Sequence, residues 1–277
     1  MISPAGWGIL LALLSAVAGA VGHASIKNAD DRFATRVLIS VMSVPIALPI
    51  LIAHPAPAGL WPWIILSAAL HCGYNLMVLR SYAHGNLASS FPLARGVAPL
   101  STALLAWALF GEQLGLLPLL GASFISAGIA ALASGKRMRG RSAAAAIAAG
   151  LLTTAYNLAD AQGVKRAADP LAFAGAYFVT ETVGMVLIAM LWRRSWQAPV
   201  RRDLALGTAA GIVTTAGYLS ALLAYSLQST AVVAGLRETS VLFAVLLARY
   251  WLREEVGRRT IAAAAVIVLG AVLLAGG

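Results

Sequence analysis

Of the chain's 277 residues, 60% are hydrophobic and 11% charged, and the mean hydropathy is +0.85; soluble domains carry about 25% charged residues, so a soluble domain is excluded and an all-α polytopic membrane protein, with the lipid bilayer as its solvent, is implied. The formal net charge of +10 does not indicate nucleic acid, because the basic residues lie in short loops between apolar runs, where they meet anionic headgroups. The one cysteine, Cys72, lies inside an apolar run and excludes an intrachain disulfide or thiolate metal site; it reads as a small buried hydrophobe.

A spanning helix needs ~20 mostly apolar residues. Ten such runs are predicted, at roughly 3–24, 34–53, 60–82, 87–110, 114–134, 142–160, 170–192, 204–226, 229–251 and 259–276. The first follows an uncharged Met-Ile-Ser-Pro rather than the positive n-region of a signal peptide, and is expected to be a mature span. Short connections predict antiparallel neighbours. Small residues, as in the stretch 121–128, predict close helix contacts.

The second half repeats the first. Arg95, in Phe91-Pro-Leu-Ala-Arg-Gly, and Arg237, in Leu236-Arg-Glu-Thr-Ser, each fall about eight residues inside the fourth and ninth runs, 142 residues apart. Glu112 and Glu254 close the same two runs at the same offset. Gly73-Tyr74 resembles Gly217-Tyr218, and Lys27 resembles Lys165. The expected units are 1–137 and 138–277, five spans each. An odd number of spans makes the second copy enter from the opposite face, giving two inverted five-helix repeats, an arrangement that places a site near the midplane between them. Odd-numbered loops hold 16 basic residues, Arg36 and Arg80 among them, and even-numbered loops hold two, Lys165 and Arg166. The positive-inside rule then puts the odd loops in the cytoplasm and both termini on the periplasmic side of an inner membrane.

The two arginine motifs, the ten runs and the duplicated five-span unit resemble the EamA family of the drug/metabolite transporter superfamily. The likeness extends over nearly the whole chain, with Phe91 where one bacterial subgroup's pattern has Tyr. It implies secondary transport of a small metabolite, often export, through a central cavity. Its best-known bacterial members have cytoplasmic termini, whereas the loop charges here indicate the reverse.

Charges inside spans cost at least about 2.5 kcal/mol on insertion scales, and they face the bundle interior. Arg95, Arg237, Glu181, Glu238 and Asp160 are such charges. An arginine fork suits a carboxylate or phosphate, so Arg95 and Arg237 are candidate ligands of an anionic substrate such as an amino acid or organic acid; the competing role is static pairing with Glu181 or Asp160. Glu181, in mid-run, is the candidate for proton coupling, protons being the expected coupling ion. Glu238 points ~100° from Arg237 on a helix and is not its natural partner. Asp160 closes the sixth run; it and Glu238 are candidate substrate-binding residues, with an exposed charge at the helix end as the competing role for Asp160. Tyr74, Asn75, Tyr82, Tyr156, Asn157, Tyr218 and Tyr225 are candidate cavity polar groups, each with helix packing as the competing role. His23, His71 and His84 are too dispersed for a metal site. Trp61, Trp63, Trp192 and Trp196 read as interfacial anchors. No cofactor and no enzyme signature are expected. The competing functions are efflux of cationic or aromatic compounds, with Glu181 and Asp160 dominant, and flipping of a lipid-linked anion.

Overall fold

The computed structural model describes residues 3–82, 91–92, 94–134, 140–192, 200–253 and 257–276; Glu254, His84 and Trp196 lie outside them. Among the described residues, eight helices or broken helices are long and apolar enough to cross a membrane. They are α1 (Pro4–Asn28), the span 32–53 made of α2 (Arg32–Val41) and α3 (Val44–Ala53), α4 (Trp61–Tyr82) with its leading turn, α7 (Gly140–Arg166), α8 (Pro170–Trp192), α9 (Arg201–Leu227), the span 230–250 made of α10 (Thr230–Glu238) and α11 (Ser240–Tyr250), and α12 (Arg258–Ala275). Two shorter apolar helices, α5 (Ala98–Phe110) and α6 (Leu116–Ser134), occupy the fourth and fifth runs. No strand occurs among the described residues.

Local chemistry sets the ends. Ser3 caps α1 by accepting from Gly6 N at 3.1 Å, with Pro4 at the first helical position, where a missing N–H costs nothing. Asp31 caps α2 through Ala34 N at 2.9 Å. Gly111, at φ 65°, ends α5 in the left-handed conformation that glycine adopts without penalty.

The fourth and ninth runs are expected to be continuous helices with an arginine well inside. They are not continuous. Arg95 ends a helical stretch that includes Phe91, Pro92 and Ala94, and α5 starts only after Gly96 and Val97. Pro99, at the second position of α5, has no N–H to give the Arg95 carbonyl, so the ladder is interrupted there. Thr239 separates α10 from α11 directly after Arg237-Glu238, and its hydroxyl donates to the Leu236 carbonyl at 2.6 Å. Both arginines therefore lie at helix breaks. Pro45 has the same effect between α2 and α3, where it cannot donate to Val41.

The packing is paired. The closest neighbours are α1 with α9, α6 with α12 and α4 with α7, followed by α1 with α11, α3 with α8, α5 with α10 and α4 with α8. Exchanging each helix for its counterpart in the other half carries α1–α9 onto α7–α4, α2–α9 onto α8–α4, and α1–α11 onto α7–α5. The crossing of α6 and α12 repeats this in atomic detail. A Cβ on Gly270 would meet the Gly121 carbonyl at 2.7 Å and Ile125; a Cβ on Gly128 would meet Ile267 at 2.7 Å and the Ala263 carbonyl at 3.0 Å. The residues 128, 121 and 125 become 270, 263 and 267 on adding 142. Backbones this close need glycine at the crossing.

Candidate functional site

A cavity of about 130 Å³ lies at the centre of the bundle, between α1, α2, α4, α7, α8 and α9 and the two helix breaks. Among the sequence candidates, Arg95, Arg237, Glu181, Tyr74, Asn75, Tyr156 and Tyr218 line it. Glu238, Asp160, Asn157, Tyr82 and Tyr225 do not; they stand behind it, each 1% exposed or less.

Three cations reach this cavity, and two are ion-paired. Arg95 Nη1 donates to Glu238 Oε1 at 2.9 Å and its Nη2 to the Tyr74 hydroxyl at 3.1 Å, with the guanidinium over the Phe91 and Tyr74 rings. The Arg95–Glu238 partnership differs from the expected pairings with Glu181 or Asp160, and it holds Glu238 behind the cavity wall. It arises because α10 breaks beside Glu238, which turns the carboxylate toward the opposite repeat. Glu181, on α8, pairs instead with Arg36 of α2 at 2.9 Å and also accepts from Ser40 at 3.2 Å and Asn75 at 3.0 Å. Arg36 is a site residue that loop counting missed. The usable signal is Ser40, four residues on and so on the same helix face; Arg36 donates to it at 2.9 Å.

Arg237 differs. Its Nη1 donates to Asn157 Oδ1 at 2.9 Å and to the Tyr225 hydroxyl at 3.4 Å, and the guanidinium lies 4.8 Å from the Tyr218 ring centroid. Among the described residues no carboxylate comes within ion-pair distance of it. It is 6% exposed.

Asp160 is fully buried six residues before the end of α7, which corrects the exposed helix-end role; α7 runs on to Arg166, past the predicted end of the run. Ser67 and Tyr218 donate to its two oxygens, and His71 Nε2 lies 3.9 Å away. His71 stacks on Tyr156 with centroids 3.9 Å apart. His23 bridges two candidate tyrosines, with 3.0 Å from Nε2 to Tyr74 and 3.0 Å from Nδ1 to Tyr82. Tyr177 joins the aromatic wall and carries no sequence signal beyond its run.

At the face opposite the Lys27 end, Glu112 binds neighbouring segments. It accepts from Lys165 at 2.6 Å and from Thr230 N at 3.0 Å and Oγ1 at 2.5 Å. Partial burial raises its pKa, and these bonds outweigh that and hold the carboxyl below its usual range. Thr230 begins α10, so this anion also sits at a helix N-terminus, where the dipole favours it. Among the predicted anchors, Trp61 and Trp192 are exposed, whereas Trp63 packs on Phe110 and under Arg166.

The EamA-like transporter family model matches residues 141–276, which take in α7 to α12. That match places the protein among the EamA-like transporters. It is a membrane transporter of the drug/metabolite type. No curated protein matches the chain by sequence. One solved crystal structure of a protein is similar in fold at a TM-score of 0.76 and 19% identity, over 99% of each chain. In this EamA-like transporter the matched half supplies Arg237, Glu181, Asp160 and Tyr218, and the first half supplies Arg36, His71, Tyr74 and Arg95.

Proposed function

We propose that the protein is a secondary active transporter that carries a small metabolite with an anionic group through the central cavity by alternating access. Residues 1–137 and 138–277 act as two inverted repeats in an inner membrane, with both termini periplasmic. The observation that carries the reading is the ion pairing of the arginines. Arg36 and Arg95 each have a carboxylate, and Arg237 has none among the described residues. A buried guanidinium with no carboxylate in direct contact, only Asp160 and Glu238 acting on it from a distance, recovers less of its desolvation cost than a paired one, so a substrate anion is the natural partner. The asymmetry is written in the repeat. Glu238, which neutralises Arg95, occupies the position that Gly96 holds in the first copy, 142 residues earlier. Arg237 therefore has no equivalent partner. The wall beside it is aromatic, with Tyr156, Tyr177, Phe178 and Tyr218, which suits an apolar body attached to the anion.

The test is a thermal-shift screen of the purified protein with benzoate, succinate and glutamate beside cationic and neutral aromatic compounds. A ligand at 100 times its Kd stabilises by about 2.7 kcal/mol. The expected result is stabilisation by at least one anion, weakened about ten- to a hundredfold in Arg237→Lys, since one charge-assisted hydrogen bond contributes about 1.5–3 kcal/mol. Stabilisation by cations alone, or wild-type anion affinity in Arg237→Lys and Arg237→Gln, refutes the reading.

A further inference from the structure

We propose that Asp160, Tyr218 and His71 form a single proton-binding site behind the cavity wall, and that this proton is the coupling ion. His71 Nδ1 lies 2.9 Å from the Ser67 carbonyl, which only accepts, so Nδ1 bears the ring proton and Nε2 is left as an acceptor. The Tyr218 hydroxyl contacts both His71 Nε2, at 2.7 Å, and Asp160 Oδ2. It has one hydrogen to give. With a neutral imidazole and an ionised carboxylate, two acceptors therefore compete for one donor. One added proton satisfies every contact. Either Asp160 donates to Tyr218 and Tyr218 to His71, or His71 Nε2 donates to Tyr218 and Tyr218 to Asp160. Ser67 donates to Asp160 Oδ1 in both states. Tyr218 and His71 line the cavity and Asp160 does not, so the hydroxyl and the ring are the route by which a proton reaches the carboxylate.

The surrounding charges set the sign of coupling. Arg237 faces the cluster from α10, Tyr177 from α8 and Tyr156 from α7 itself, while Arg36 and Arg95 act on His71 from further away. Among the described residues lining or backing the cavity, three arginines meet three carboxylates, Glu181, Glu238 and Asp160. Protonating Asp160 leaves one positive charge in excess, and a monoanion at Arg237 restores neutrality. Proton and anion therefore favour each other's binding and travel in the same direction, by the reciprocity of linked equilibria. An inward proton gradient would draw the anion inward, opposite to the export that the family resemblance suggests. This coupling step rests on the anionic reading of Arg237; the proton site does not.

pH-difference infrared spectroscopy of the purified protein without ligand tests the site. A carboxylic-acid C=O band should grow on acidification, vanish in Asp160→Asn and persist in Glu181→Gln and Glu238→Gln. Carbon-13 aspartate should shift it, which separates it from glutamate even where Asp160→Asn fails to fold. Tyr218→Phe, which removes the shared donor, should move its midpoint. An unchanged band in Asp160→Asn, a band of constant intensity at all pH, or an unmoved midpoint in Tyr218→Phe overturns the proposal. Loss of anion binding in Arg237→Gln with the band intact bears on the cavity reading alone. Adding benzoate, where it binds, should raise the midpoint in wild type and not in Arg237→Gln; a lowered midpoint overturns the coupling.

Discussion

At the scale of single residues, the three arginines that line the cavity among the described residues have three different surroundings. Sequence periodicity placed Arg95 and Arg237 in equivalent positions, and composition alone required that both face inward. The partner of each was not legible, because a pairing across the bundle depends on helix breaks that bring Glu238 of one repeat against Arg95 of the other. Arg95 Nε and Glu238 Oε2 have no hydrogen-bond partner among the described residues, so the direct contact of this pair is the one at 2.9 Å. Removing one member of a buried pair leaves the other uncompensated and costs about 3–5 kcal/mol. Glu238→Gln is therefore expected to lower the melting temperature of the purified protein. Arg237→Gln, which removes a charge without a carboxylate partner, should leave it unchanged or raise it. Equal destabilisation by the two variants would refute the distinction between a paired and a ligand-awaiting arginine.

At the scale of elements, the apolar runs located the spans because twenty residues without charge leave little else in water, while the breaks inside them were hidden. Pro99 and Pro45 mark two of the breaks chemically; the break at Thr239 has no proline and no comparable signal. The contact of Glu112 with α10 was equally hidden. Its position after the end of α5 suggests an anion at an unfavourable dipole end, and only the fold reveals that it faces the N-terminus of α10 as well. Lys165 and Thr230 bind it across three connections, so Glu112→Gln should weaken closure of that face. Each charge-assisted bond lost costs about 1.5–3 kcal/mol, at the lower end here because both side chains remain partly solvated. The pH dependence has a definite sign. The folded pKa of Glu112 lies below its unfolded value of about 4.3, so its contribution is complete above that value and disappears as pH falls through the lowered folded pKa. The melting-temperature gap between wild type and Glu112→Gln should be constant near neutrality and close in strong acid. A gap that widens on acidification would contradict this.

At the scale of the whole molecule, the half-to-half likeness in sequence is faint, yet it reappears in the packing pairs and in the glycines of α6 and α12, since a repeated interface needs only the same small residues at the same spacing. The direction of insertion follows from charge outside that interface. Arg36, counted among the loop residues, is inside α2 and bound to Glu181, and leaves the tally. Fifteen basic residues then remain on one side, against Lys165 and Arg166 on the other. Those two are themselves engaged, Lys165 by Glu112 and Arg166 over the Trp63 ring at 4.6 Å. Translocating the fifteen would oppose both the membrane potential and the anionic inner surface, so the 54–59 connection is expected outside and the start of α7 inside. Gly59 and Gly140 are exposed, and a Cβ on either meets nothing within 4 Å, so each accepts a cysteine without strain. On a Cys72→Ser background in intact bacterial cells, a membrane-impermeant maleimide should label Gly59→Cys directly and Gly140→Cys only after permeabilisation. The reverse pattern would place the termini in the cytoplasm and turn the cavity's two faces around.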